Sequence, residues 1–153
     1  MSYVLFGLGE HTLALPLNAV EAVERPGRFT TLPFGAPWLR GVTAIQGVVV
    51  SVVDLGRFAG GEPAGLTPSA RLLVTRSGNA RAALLVDRVG TICAAQGEPQ
   101  PPAGIRGPLE KWWRGILPID GRLVPVVDQD GLMGSSEMAR FQLSEQAEHA
   151  EQN

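Results

Sequence analysis

Two aspartates close two copies of one phrase. Asp54 ends the run "GVVVSVVD" and Asp128 ends "GRLVPVVD", and the stretches around them align without a gap at a shift of 74 residues. Trp38, Arg40, Gly41, Ile45, Gly47, Val50, Val52, Val53, Asp54 and Gly60 all recur at that shift. Carboxylates related by an internal repeat suit an aspartyl hydrolase, in which two Asp share one proton and activate water. That chemistry needs each Asp in a tight turn, followed by a hydroxyl residue and a glycine. The chain reads "DLG" and "DQD" instead, without the hydroxyl in either copy. A short helical turn is expected after each Asp, over 55–59 and 129–133. An Asp at such a junction accepts from N–H groups the helix leaves unpaired, which contributes about 1 kcal/mol. Asp54 and Asp128 are therefore read as structural caps, and the chain is not expected to be an enzyme.

Other reactive residues are sparse. His11 lies in a first-hairpin loop and His149 near the C-terminus; no Cys/His/Asp cluster has metal-ligand spacing, and no elbow presents a serine to His11. Cys93 is the single cysteine, set in the apolar run "VGTICAA", so there is no disulfide framework. Gly7 and Gly9 sit in a strand–turn setting with no helix behind them, which is not a phosphate cradle. Trp112 and Trp113 are read as core or lobe-interface residues. No cofactor and no metal is expected.

Composition narrows the class further. Hydrophobic residues make up 44% of the 153, and charged residues only 18%, against about 25% in an average soluble domain. A surface short of charge points to contacts with other proteins. The net charge of −2 comes without a basic run, so the electrostatic footprint of nucleic-acid binding is missing. No apolar run approaches the roughly 20 residues of a membrane span. The opening "MSYVLFGLGEH" has neither a basic leader nor a cleavage site and reads as a first strand. A cytoplasmic location is expected.

The elements that would position these residues are short strands. The chain holds 19 Gly and 12 Pro, more punctuation than a helical bundle tolerates. Between them stand "YVLFGL", "TLALPL", "GVVVSVVDL", "RLLVTR", "AALLV" and "RLVPVV", strand-length and rich in β-branched residues. A second echo sets 9–23 against 78–92 at a shift of 69, with Gly9, Ala14, Leu15 and Val20 recurring. Two copies of one β unit follow, a lobe over about 1–60 and another over about 70–134, with 60–69 as linker. Val48, Val50 and Val52 face one way and Val49, Ser51 and Val53 the other, so both faces are largely apolar. One is expected to line a small barrel and the other to meet the partner lobe. Pro125 cannot donate to a ladder and predicts an edge or a bulge there. After Gly134 the Ser start, early Glu137 and absence of Gly and Pro predict a helix over about 135–148, with 149–153 frayed.

"YVLFGLGEHTLALPLNAVEAVE", "PWLRGVTAIQGVVVSVVDL" and the weaker "WWRGILPIDGRLVPVVD" together resemble a CheW-like domain, the chemotaxis adaptor family. The resemblance covers about Tyr3 to Met133 and is most specific between Gly41 and Leu55. It implies an all-β fold of two pseudo-symmetric five-stranded SH3-like barrels packed around a shared core, with the C-terminal helix added and the whole domain spanning 1–143. It also implies a non-catalytic adaptor that couples a CheA-type histidine kinase, through its regulatory domain, to the signalling tip of chemoreceptors, with membrane association only through receptor arrays. The partner-facing surface implied is Val20, Ala22, Gly41, Ile45 and Gln46. Two of these depart from the family pattern: Ala22 stands where a Glu is usual and Gln46 where an Arg is usual. Those two charges are opposite and neighbouring in the family, so their joint loss leaves neither orphaned. The departure suggests an alternative, an adaptor that binds the kinase but not receptors, as in a type IV pilus or other non-flagellar system.

Overall fold

The computed structural model describes residues 1–101, 112–135, 138, 143 and 144. Aliphatic runs between glycine turns form the strands in chain order: β1 (Ser2–Leu8), β2 (His11–Pro16), β3 (Val20–Glu24), β4 (Leu39–Ile45), β5 (Val48–Asp54), β6 (Arg71–Ser77), β7 (Ala80–Val86), β8 (Arg88–Ala94), β9 (Trp113–Ile119) and β10 (Arg122–Val127). A one-turn helix follows β5 and another follows β10, α1 (Leu55–Phe58) and α2 (Gln129–Met133). The β4–β5 and β9–β10 hairpins turn on Gln46–Gly47 and Asp120–Gly121, all four with φ between 50° and 79°. Paired positive φ values mark the turn whose twist matches that of the flanking strands.

The strands form two sheets, ordered β8-β1-β2-β10-β9 and β3-β6-β7-β5-β4. Each element of the first repeat has its counterpart at the same place in the other sheet, so the two sheets are pseudo-symmetric. The expected lobe bounds of 1–60 and 70–134 are not the sheet bounds, however. One sheet takes its strands from Val20–Glu24 through Ala80–Val86, and the other joins β1 and β2 to β8, β9 and β10. Each repeat thus gives its first hairpin to one sheet and its last three strands to the other. The reason is burial: the β1–β2 and β6–β7 hairpins have apolar faces on both sides, and crossing over covers both.

Three apolar clusters result. Val50, Val52, Leu72, Ala83 and Leu85 fill one sheet's interior, and Tyr3, Ala14, Leu117, Ile119, Val124 and Val126 fill the other's. Between them Phe6, Leu15, Val53, Leu73, Leu84, Val127 and Met138 form the shared core. Alternation along β5 does place Val50 and Val52 on one side and Val53 on the other, as the period-2 pattern requires.

Pro125 leaves its mark on the ladder rather than at an edge. β10 lies inside its sheet, but its parallel pairing to β2 is reduced to Val126 with Ala14. The counterpart β5–β7 pairs from Ser51–Ala82 through Asp54–Leu85. Ser51 keeps the N–H that Pro125 lacks.

The helix expected over 135–148 is not continuous. Leu143–Ser144 form a short strand, β11, antiparallel to Arg81 and Ala80 of β7. β5 covers β7 only from Ala82 onward, so the backbone groups at Ala80 and Arg81 are open to a third strand, and ladder bonding prevails over local helix propensity. Met138 is fully buried in the shared core. The other residues of that expected helix, and the tail at 149–153, lie outside the described residues.

Candidate interaction site

The two aspartates cap the one-turn helices. Asp54 Oδ1 accepts from Arg57 N at 3.1 Å, and Asp128 Oδ1 accepts from Asp130 N and Gly131 N at 3.1 and 3.2 Å. The repeated Trp closes each motif, since Trp38 O accepts from Asp54 N at 2.7 Å and Trp112 O from Asp128 N at 2.8 Å. The copies then diverge. Asp54 is fully buried; its Oδ2 accepts from Arg40 Nη1 at 3.1 Å and from Ala64 N at 2.8 Å. Asp128 is half-buried, and its repeat-related Arg114 is exposed. Both carboxylates are engaged by cap donors in different sheets, an arrangement for holding backbone.

The five partner-facing candidates fall on the two edge strands of one sheet. Val20 and Ala22 are half-buried on β3, which pairs with β6 through Val20–Thr75 and Ala22–Val74. The register slips between those pairs, so Glu21 bulges out, and its carboxylate meets Arg81 Nε at 3.2 Å and Arg76 Nη1 at 3.6 Å. The acid beside Ala22 is therefore held by cations of β6 and β7. Gly41, Ile45 and Gln46 share β4 and its turn. Ile45 is half-buried against the sheet interior and Gln46 is exposed in the left-handed region at φ 52°. Gly41 is buried, at φ +144°, and a Cβ there would lie 2.1 Å from Thr30 O. Thr30 bridges to Val42 at this point. Its counterpart Gly115, φ +132°, lies under Gln100, which bridges to Ile116 in the same way. Gly41 thus serves the close approach of two backbones. The hydrogen-bonded path between β3 and β4 runs through β6, β7 and β5.

The repeat also repeats an exposed apolar pair. Val23 and Val49 are 46% and 42% exposed, and their counterparts Ile92 and Leu123 are 62% and 72% exposed. Both sheets therefore present aliphatic surface at equivalent places, which pattern alone does not show because the same residues could as well be core.

A groove of about 840 Å³ opens where the two sheets meet. Leu8, Leu13, Trp112, Trp113 and Pro125 give it apolar walls, and the linker at 60–65 forms one side. Trp112 also packs on the shared core, so the tryptophan pair belongs at the lobe interface. The resemblance implies a groove near the lobe junction, but the residues lining this one were not legible in the sequence, because its walls come from both repeats and the linker. Among the described residues no group of His, Cys, Asp and Glu is placed to hold a metal ion, and no helix is long and apolar enough to cross a membrane.

Paired five-stranded sheets with capped turns and apolar surface define a β scaffold that works by binding. The chain belongs to the CheW-like domain family, whose model matches residues 2–137. It is 27% identical over 136 residues to a probable chemotaxis protein CheW of Rhizobium etli, covering 88% of each chain. It is 32% identical over 84 residues to protein PilI of Pseudomonas aeruginosa, covering 55% of this chain and 47% of that one. The crystal structure of the scaffolding protein TtCheW from Thermoanaerobacter tengcongensis matches with a TM-score of 0.82 at 20% identity, over 93% of this chain and 98% of that one. The family consists of non-catalytic scaffolds of chemotaxis and related pathways.

Proposed function

We propose that this chain is a coupling adaptor that joins the regulatory domain of a CheA-type histidine kinase to the signalling tip of a chemoreceptor, and that it sits in the cytoplasm, at the membrane only through receptor arrays. The supporting observation is the character of the two edge strands, β3 and β4. Val20, Ala22, Ile45 and Gln46 bring aliphatic and small side chains with one uncharged polar group, the composition that receives an amphipathic helical tip, and buried Gly41 holds the β4 backbone against Thr30. The domain proposed for this role is 1–143.

A specific observation favours the alternative, an adaptor that binds the kinase alone, for instance in a pilus or other non-flagellar system. Ala22 and Gln46 leave the surface uncharged, and Glu21 is engaged by Arg76 and Arg81. A pull-down with the cognate kinase regulatory domain and receptor tip tests both. Binding of both supports the coupling role, and binding of the kinase alone supports the alternative. Failure to bind the kinase domain at concentrations on the order of tens of micromolar overturns both.

A further inference from the structure

The internal repeat sets one covered stretch of strand against an uncovered one. In one sheet, β11 adds antiparallel to β7 at Ala80 and Arg81, where β5 has not yet begun to pair. At the shift of 69 those residues correspond to His11 and Thr12 of β2. There β10 pairs only at Val126–Ala14, because Pro125 cannot donate. Among the described residues no strand covers β2 at His11 and Thr12 on the side away from β1. The chain cannot supply a strand from behind α1 as it does from behind α2. The segment after α1 is fixed at Ala64 by Asp54 and continues to β6.

The groove beside this bare stretch has apolar walls and an acidic rim. Its ionisable lining residues are Glu10, His11, Glu62 and Asp87, with no Lys or Arg. Asp87 Oδ2 accepts from Gly9 N, while Glu10 and Glu62 are exposed and in no ion pair among the described residues. Two cations stand just outside the lining, Arg88 donating to Gly9 O at 2.9 Å and Arg122 to Thr12 Oγ1 at 3.5 Å.

We propose that this groove takes an extended segment of a second protein, added antiparallel to β2 at His11–Thr12 and carrying a basic side chain opposite Glu10 and Glu62. Main-chain hydrogen bonds give such strand addition its affinity and alternate side chains give it specificity. Here the inward side chains meet Leu13 and Trp112, and the outward ones meet the acids. The site is separate from the β3–β4 surface, so it stands whether or not that surface binds a receptor.

A blocked nonapeptide alternating valine and arginine is the probe, with its valine–glutamate counterpart as control. Amide hydrogen exchange and tryptophan fluorescence of the full chain are followed during titration. The arginine peptide is expected to shift the fluorescence and protect the outward amide at His11–Thr12, and the glutamate peptide to do neither. Charge reversal at both acids, E10K with E62K, is expected to weaken binding about tenfold or more, while E24K on β3 leaves it within about twofold. Both acids are exposed, so the reversed protein keeps its fold. An outward amide already fully protected in the free protein, binding without protection, or equal weakening by E24K would each overturn the proposal.

Discussion

The guanidinium of Arg40 lies 3.1 Å from the Asp54 carboxylate, across the mouth of α1. Asp54 is 1% exposed in that pair and Arg40 27%. The same Arg also donates to Ala64 O at 3.2 Å and lies 5.8 Å from the centre of the Phe29 ring. The cap, the linker and the β3–β4 loop are thus tied to one carboxylate, a knot with no counterpart at Asp128 among the described residues. Asp54→Ala is expected to cost about 3 kcal/mol, since it strands a partly buried cation and two N–H donors. Asp128→Ala, which removes a cap alone, is expected to cost about 1 kcal/mol. Urea midpoints of the two variants check this; equal losses would show that the knot adds nothing.

Gly41 and Gly115 are expected to refuse a side chain. Gly41→Ala pushes a Cβ against Thr30 O at a φ that alanine avoids, so a loss of about 3 kcal/mol or more is expected. Gly9→Ala, with open space at φ +57°, is expected to lose only about 1 kcal/mol. Thermal melting distinguishes them. Any loss of partner binding in a Gly41 variant then reports backbone packing, and must be measured on folded protein.

The Gln46 turn separates stability from recognition. Gln46→Asn suits the left-handed turn better and is expected to gain about 0.5 kcal/mol. Gln46→Arg is expected not to strengthen receptor-tip binding, because Ala22 offers no counter-charge and Glu21 is engaged by Arg76 and Arg81. Titration calorimetry with the tip decides; a clear gain from that single change refutes the charge-pairing argument.

Met138 anchors the segment after α2. Met138→Ala is expected to cost about 2–4 kcal/mol, the range for truncating a fully buried side chain. Glu21→Gln, which removes two partly exposed ion pairs, is expected to change stability by less than about 1 kcal/mol. Denaturant unfolding of both variants tests whether this segment belongs to the core.

By itself the sequence determined six of the strands, the twofold repeat, the two caps and the family. Each of these is local: period-2 burial, Gly-bounded turns, an Asp ahead of an unpaired helical N–H, a phrase said twice. Only the tertiary structure decided which strands share a sheet. Repeat order is indifferent to whether a hairpin pairs within its own copy or crosses over, and the burial of both hairpin faces settles that. The same holds for residues 143 and 144, whose neighbours spell helix while the bare stretch of β7 makes strand. Asp54 and Asp128 read alike in the chain and differ in the fold, because Ala64, a residue outside the aligned repeat, reaches only one of them. The groove is of the same kind: its walls are written in three separate places, and distance along the chain carries no record of their meeting.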